Sequence, residues 1–145
     1  MSGFPDLVKL EFRYRELPAE ERPRLLKKLR AKLEGSDDVV FAYVHGSFME
    51  RPSFRDLDAA IWIRDASRAF YYTVDFSAEM NVEVGVPVDV QVLNEAPLPF
   101  KHYIFTRGKL LFSRDEAFRL RLADQVLRQY ADLKLLTEMV SRSQT

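Results

Sequence analysis

The chain contains no cysteine, which excludes disulfides, thiolate metal sites and cysteine nucleophiles together. Histidine is nearly as scarce. His45 and His102 are the only two, they form no His-x-x-x-His or Cys/His cluster, and a transition-metal site is therefore not expected. Net charge is absent as well: 22 Lys plus Arg stand against 22 Asp plus Glu, so nothing supplies the broad positive field with which a dedicated binder holds long nucleic acid. Long apolar runs are missing too. The longest, Val39 to Val44, is far short of the ~20 residues that span a bilayer. The opening Met-Ser-Gly-Phe-Pro-Asp has neither a basic nor an apolar leader segment. The expectation is a cytoplasmic protein with no membrane role.

No linker, low-complexity tract or internal repeat interrupts the sequence, and 145 residues is the size of one domain, so residues 1–145 are read as a single unit. Hydrophobic residues make up 47% and charged residues 30%, enough for a core without the charge excess of a disordered chain. Leu25, Leu29 and Leu33 recur every four residues between Pro23, suited to a first helical turn, and Gly35, suited to a stop, and predict a helix over Pro23–Glu34. Before it, Phe4 to Leu17 fits both a strand (Leu10, Phe12, Tyr14) and a helix (Leu7, Val8, Leu10). Val39–Val44, Leu57–Ile63 and Val86–Leu93 read as strands, the first buried on both faces. Ala66 to about Val84 reads as a helix, Phe100–Arg107 as a short one, Lys109–Phe112 as a fourth strand, and about 114–141 as a long C-terminal helix. The predicted fold class is α/β (α+β), a small mixed sheet flanked by helices.

Chemistry concentrates between residues 44 and 63. One strand ends in Gly46-Ser47, eight residues intervene, and the next opens with Asp56-Leu57-Asp58. Residues two apart on a strand share a face, so Asp56 and Asp58 present two carboxylates side by side. Like charges so placed repel, and Asp is disfavoured in strands, so a hard cation with oxygen ligands is the expected compensation. Gly46 permits a sharp turn and close approach of a phosphate. Ser47 and Glu50 match a capping box, predicting one helical turn before Pro52 whose amino end suits phosphate oxygens. Asp89 lies between Val88 and Val90, points opposite to them, and can join the other two carboxylates at the sheet edge. Three carboxylates can hold two Mg²⁺ about 3.5–4 Å apart.

Gly46-Ser47, Asp56-Leu57-Asp58 and Asp89 together resemble the nucleotidyltransferase signature of the DNA polymerase β superfamily, and the small size is similar to its minimal nucleotidyltransferase (MNT) branch. The motifs cover residues 39–93; Gly108 to Phe112 followed by a long helix with Tyr130-x-Asp132 is also similar to MNT proteins. The resemblance implies a nucleotidyltransferase fold and Mg²⁺-dependent transfer of AMP from ATP to an acceptor hydroxyl. It assigns triphosphate contact to Gly46 and Ser47, and metal binding and catalysis to Asp56, Asp58 and Asp89. It also implies an antitoxin of a toxin–antitoxin system, modifying a tyrosine of a HEPN-type toxin partner. Many relatives place about ten residues, rather than eight, between the Gly-Ser and the first Asp. Two alternatives stay open: a transferase acting on a small antibiotic-type molecule, and a non-catalytic module that neutralises its partner by contact.

Arg55 and Arg51 flank the loop and suit triphosphate charge, with solvated loop arginines as the alternative; Lys101 and Arg107 are weaker versions of the same idea. His45 reads either as a phosphate contact or as a packing and hydrogen-bonding residue. Phe70-Tyr71-Tyr72 suits base stacking or core packing. On the last helix Phe118, Leu122, Val126, Leu133, Leu136 and Val140 form one stripe, with Leu120, Leu127 and Leu135 off it. A second buried face follows, against the N-terminal helix or against another chain in a homo- or hetero-oligomer.

Overall fold

The computed structural model describes residues 15–18 and 20–143. Most of the ambiguous Phe4–Leu17 stretch lies outside them. In chain order the elements are β1 (Arg15–Glu16), α1 (Glu21–Glu34), β2 (Val39–His45), α2 (Ser47–Glu50), β3 (Ser53–Phe54) and β4 (Leu57–Ile63). A helical arm follows through a 3₁₀ turn at Ala66–Arg68, an α-turn at Ala69–Tyr71, a π segment at Tyr72–Phe76 and α3 (Ser77–Val84). β5 (Val88–Val92), α4 (Leu98–Arg107), β6 (Lys109–Ser113) and α5 (Glu116–Ser143) complete the chain. No described helix is long and apolar enough to cross a membrane.

Four strands form one sheet in the order β5-β4-β2-β6. β4 and β5 run parallel, joined by the helical arm, while β2 is antiparallel to both β4 and β6. β1 and β3 make a separate two-residue ladder. β2 is central, and all seven of its residues are buried, which is why the sequence there is a continuous apolar run rather than an alternating one.

Alternation along the strands divides the core in two. Ala42, Val44, Ala59, Ile61, Val88 and Val90 face α1 and the helical arm, meeting Leu29, Leu33, Tyr72, Phe76 and Met80. Phe41, Tyr43, Ala60 and Trp62 face α4 and α5, meeting Phe100, Tyr103, Ile104, Phe118 and Leu122. Leu29 and Leu33 are fully buried, each contributing about 1.5–3 kcal/mol over exposure. Asp58 shares the parity of Ala60 and Trp62, and His45 that of Tyr43, so both are directed to the α4 side at the end of the sheet.

The arm also fixes β5, whose outer edge has no neighbouring strand among the described residues. Val88 N donates to Asn81 Oδ1 at 2.6 Å and Val90 N to Ser77 Oγ at 3.0 Å, so two edge amides are satisfied by side chains. The Ser77 hydroxyl in turn donates to the Tyr72 carbonyl at 3.3 Å, five residues back, in the π segment.

α5 buries only part of its predicted stripe within this chain. Its apolar stripe is buried only as far as Val126, with Phe118 and Leu122 against the sheet. Leu133, Leu136 and Val140 are exposed, as are Leu120, Leu127 and Leu135. The helix outruns the sheet it covers, so its last turns have no described element beneath them.

Candidate active site

The antiparallel register of β2 and β4 sets His45 opposite Asp58, and the parallel register of β4 and β5 sets Asp58 opposite Asp89. Three polar side chains from three strands thus share one level at the sheet end. Asp56 is the residue before β4, half-buried, with Oδ2 3.8 Å from the Nε of exposed Arg55. It is close enough for its charge to act on Asp58.

Gly46 closes this level. It follows β2 at φ 84° and ψ −161°, a region essentially reserved for glycine. A Cβ built there would stand 2.6 Å from Asp58 Oδ2. The backbone and the carboxylate therefore meet where a side chain would otherwise intrude. The turn runs into α2, held by Met49 N donating to Gly46 O at 3.0 Å and Arg51 N to Ser47 O at 2.9 Å. The predicted helical turn is present but the capping box is not. Gly46, not Ser47, occupies the N-cap, and no side chain caps the helix, because the sharp turn at Gly46 starts the helix one residue before the serine can serve. Ser47 is instead the first helical residue, half-buried.

Gln91, absent from the sequence-based site, connects the aspartates. Its Nε2 donates to Asp89 Oδ2 at 2.6 Å and lies 3.5 Å from Asp58 Oδ1. Its Oε1 lies 2.6 Å from His45 Nε2. An amide that donates to carboxylates on one side presents only an acceptor on the other, so His45 Nε2 carries the proton and donates. The imidazole meets the rings of Phe100 and Tyr103 edge-on, at centroid distances of 5.7 and 5.5 Å. His45 thus takes the packing and hydrogen-bonding role. Gln91 was legible by the parity rule that paired Asp56 with Asp58, since it stands two residues from Asp89 on the same strand face.

Burial pushes the Asp58 carboxyl above its ordinary range, reinforced by the negative charges of Asp89 and Asp56; His45 and the Gln91 hydrogen bond act the other way. Among the described residues no three His, Cys, Asp or Glu side chains stand together as a metal cage. Asp58 and Asp89 each turn one oxygen to the Gln91 amide instead. The donor chemistry nevertheless suits a hard cation: carboxylate oxygens, one of them half-buried and disfavoured as an isolated anion.

Arg22 is a second missed residue. Its guanidinium donates to the carbonyls of Phe48, at 2.5 Å, and Pro52, and lies over the rings of Phe48 and Phe54. Those two rings are buried and in edge contact at 4.7 Å. The eight-residue connection is thus anchored from α1. Other sequence candidates fall outside the cluster or take packing roles: Arg51 and Arg107 are exposed, Lys101 lies over Trp62, Phe70 is exposed while Tyr72 is core, and His102 stacks on Tyr130 at 3.7 Å.

The sequence profile described as "Polymerase beta, Nucleotidyltransferase" matches residues 27–117, the span that carries every member of the cluster. The chain belongs to this nucleotidyltransferase family. Solved structures share its fold. A tri-AMPylated Shewanella oneidensis HEPN toxin in complex with MNT antitoxin matches at TM-score 0.63 and 16% identity, over 84% of this chain and 97% of that chain. The toxin–antitoxin MntA-HepT matches at 0.59 and 16%, over 87% and 97%. A toxin–antitoxin with AMP-PNP matches at 0.60 and 17%, over 87% and 98%. No curated protein matches the nucleotidyltransferase by sequence. The expected fold and family are therefore both borne out, including the resemblance to MNT antitoxins.

Proposed function

We propose that this nucleotidyltransferase, acting as one domain in the cytoplasm, moves AMP from Mg²⁺-bound ATP onto a tyrosine hydroxyl of a HEPN-type toxin and is that toxin's antitoxin. One observation carries the reading: Asp58 and Asp89, in register on adjacent strands, meet at the sheet end beside a turn that only glycine can make. Fold-level likeness to MNT–HEPN complexes supports the acceptor class.

Asp56, Asp58 and Asp89 are the residues that would hold Mg²⁺, which supplies neutralisation of triphosphate charge and activation of the acceptor hydroxyl. The Gly46 turn and the first amides of α2 cradle the phosphates, since backbone N–H groups at a helix start are free to donate to anions. Ser47 adds a hydroxyl donor, and Arg55 a cation at the rim. The acceptor oxygen bonds to the α-phosphorus while the bond to the β-phosphate oxygen breaks, and pyrophosphate leaves. Asp89, the exposed carboxylate, receives the acceptor's proton.

Transfer of label from α-³²P-ATP tests this. The protein is incubated with Mg²⁺ and host lysate, and wild type is compared with the Asp56→Ala/Asp58→Ala double variant. An aspartate-dependent labelled protein of toxin size is expected. Label confined to small molecules would replace the protein acceptor by a small one. No aspartate-dependent label, with ATP binding and partner expression verified, would refute transfer and leave neutralisation by contact.

A further inference from the structure

A carboxylate offers two oxygens, and a site that must hold a cation has to keep one of each pair directed inward. The hydrogen bonds divide the oxygens in that way. Asp58 turns Oδ1 to Gln91 and Oδ2 to the Gly46 turn. Asp89 turns Oδ2 to Gln91, which leaves its Oδ1 outside that bond. One amide nitrogen thus occupies one oxygen of each carboxylate. Asp89 is exposed, so without that bond its side chain would be free to rotate away from its neighbour's charge.

The amide is itself oriented. A glutamine can flip and present its oxygen to the carboxylates, which would place acceptor against acceptor. That clash keeps the nitrogen toward the carboxylates, and His45 meets the amide from behind, its Nε2 2.6 Å from Oε1, buried with its ring between Phe100 and Tyr103 of α4. The chain of contacts runs from α4 through His45 and Gln91 to both aspartates.

Resting on the reading of Asp58 and Asp89 as cation ligands, we infer that Gln91 is a positioning residue: its amide, locked by His45, holds the two carboxylates with one oxygen each available to the metal. Groups that orient metal ligands from behind typically change cation affinity about 10–100-fold when removed.

The test titrates Mn²⁺ alone and follows free Mn²⁺ by electron paramagnetic resonance, a readout independent of transfer. Variants are Gln91→Met, which keeps length and lacks donors, His45→Phe, which keeps the ring, and the pair together. Gln91→Met is expected to weaken Mn²⁺ binding about 10–100-fold, His45→Phe to weaken it less, and the pair no more than Gln91→Met alone, because His45 acts only through the amide. Thermal melts without metal check that each variant is folded. A folded Gln91→Met that binds Mn²⁺ as well as wild type, or more tightly, overturns the inference while leaving the cation site intact. Wild type that binds no Mn²⁺, alone or with a non-hydrolysable ATP analogue, overturns both this inference and the proposed function. If His45→Phe and Gln91→Met weaken binding additively, the lock on the amide is wrong.

Discussion

Replacing Gly46 with alanine should damage the protein twice, through backbone and through contact. At φ 84° and ψ −161° a side-chain-bearing residue is strained by about 1–3 kcal/mol. The added methyl would also lie 2.6 Å from Asp58 Oδ2, well inside contact distance. Backbone on either side is held by β2 and α2, so the carboxylate is what yields, and a displaced rotamer costs a further ~0.5–1.5 kcal/mol. The sum is about 1.5–4.5 kcal/mol. For a chain of this size each kcal/mol moves Tm by about 4 °C, so circular-dichroism melts should show a loss of about 6–18 °C. Transfer should fall at least ~100-fold at temperatures where the variant is still folded, because the displaced group is Asp58 itself. A double-mutant cycle separates the two costs. In an Asp58→Ala background the methyl meets no carboxylate, so Gly46→Ala should be cheaper there by about 0.5–1.5 kcal/mol. A Tm loss under ~2 °C for Gly46→Ala, or strictly additive effects of the two substitutions, would refute the reasoning.

Asp58→Asn should abolish transfer yet raise stability at neutral pH. Burial and neighbouring charge hold the Asp58 carboxyl above its ordinary 3.8 in the folded state, so the folded protein binds this proton more tightly than the unfolded chain. Wild type therefore loses stability as pH rises from about 3.8 through the raised folded value. Melts of the two proteins should coincide well below pH 3.8 and separate above it in favour of the Asp58→Asn variant; a variant that melts lower at neutral pH would contradict this. On α5, Leu136→Glu/Val140→Glu should shift Tm by no more than about 4 °C, since both side chains are exposed and surface changes cost within about 0.5 kcal/mol each. A larger loss would mean that this face is covered in solution, as it would be against another chain.

Local pattern rules located much of this structure. The β4 boundaries, Leu57–Ile63, follow from an apolar run after a polar turn. The burial of β2 on both faces follows from its lack of alternation. The pairing of Asp58 with Asp89 required only parity and the assumption that their strands are neighbours. What escaped was contact between residues distant in sequence. Arg22 reaches carbonyls 26 and 30 residues away, and no local window relates them. Asn94 brackets both backbone groups of Ile63, extending the β4 ladder, yet reads as an ordinary turn residue. The capping box failed for a different reason: Ser-x-x-Glu was present, but the turn forced by Gly46 shifted the helix start. The stripe on α5 was also present in the sequence, but periodicity reports which residues share a face, not whether anything lies under them.

The position of Asp58 on β4, between β2 and β5, ties the life of the site to that of the whole sheet. Many enzymes lose activity several degrees before they melt, because their chemistry sits on loops that open first. Here two of the three carboxylates and the amide between them stand on strands whose amides are bonded to neighbouring strands or, at the outer edge of β5, to Ser77 and Asn81. Inactivation on heating and cooperative unfolding should be one event, so a stabilised variant of this protein would gain working temperature degree for degree.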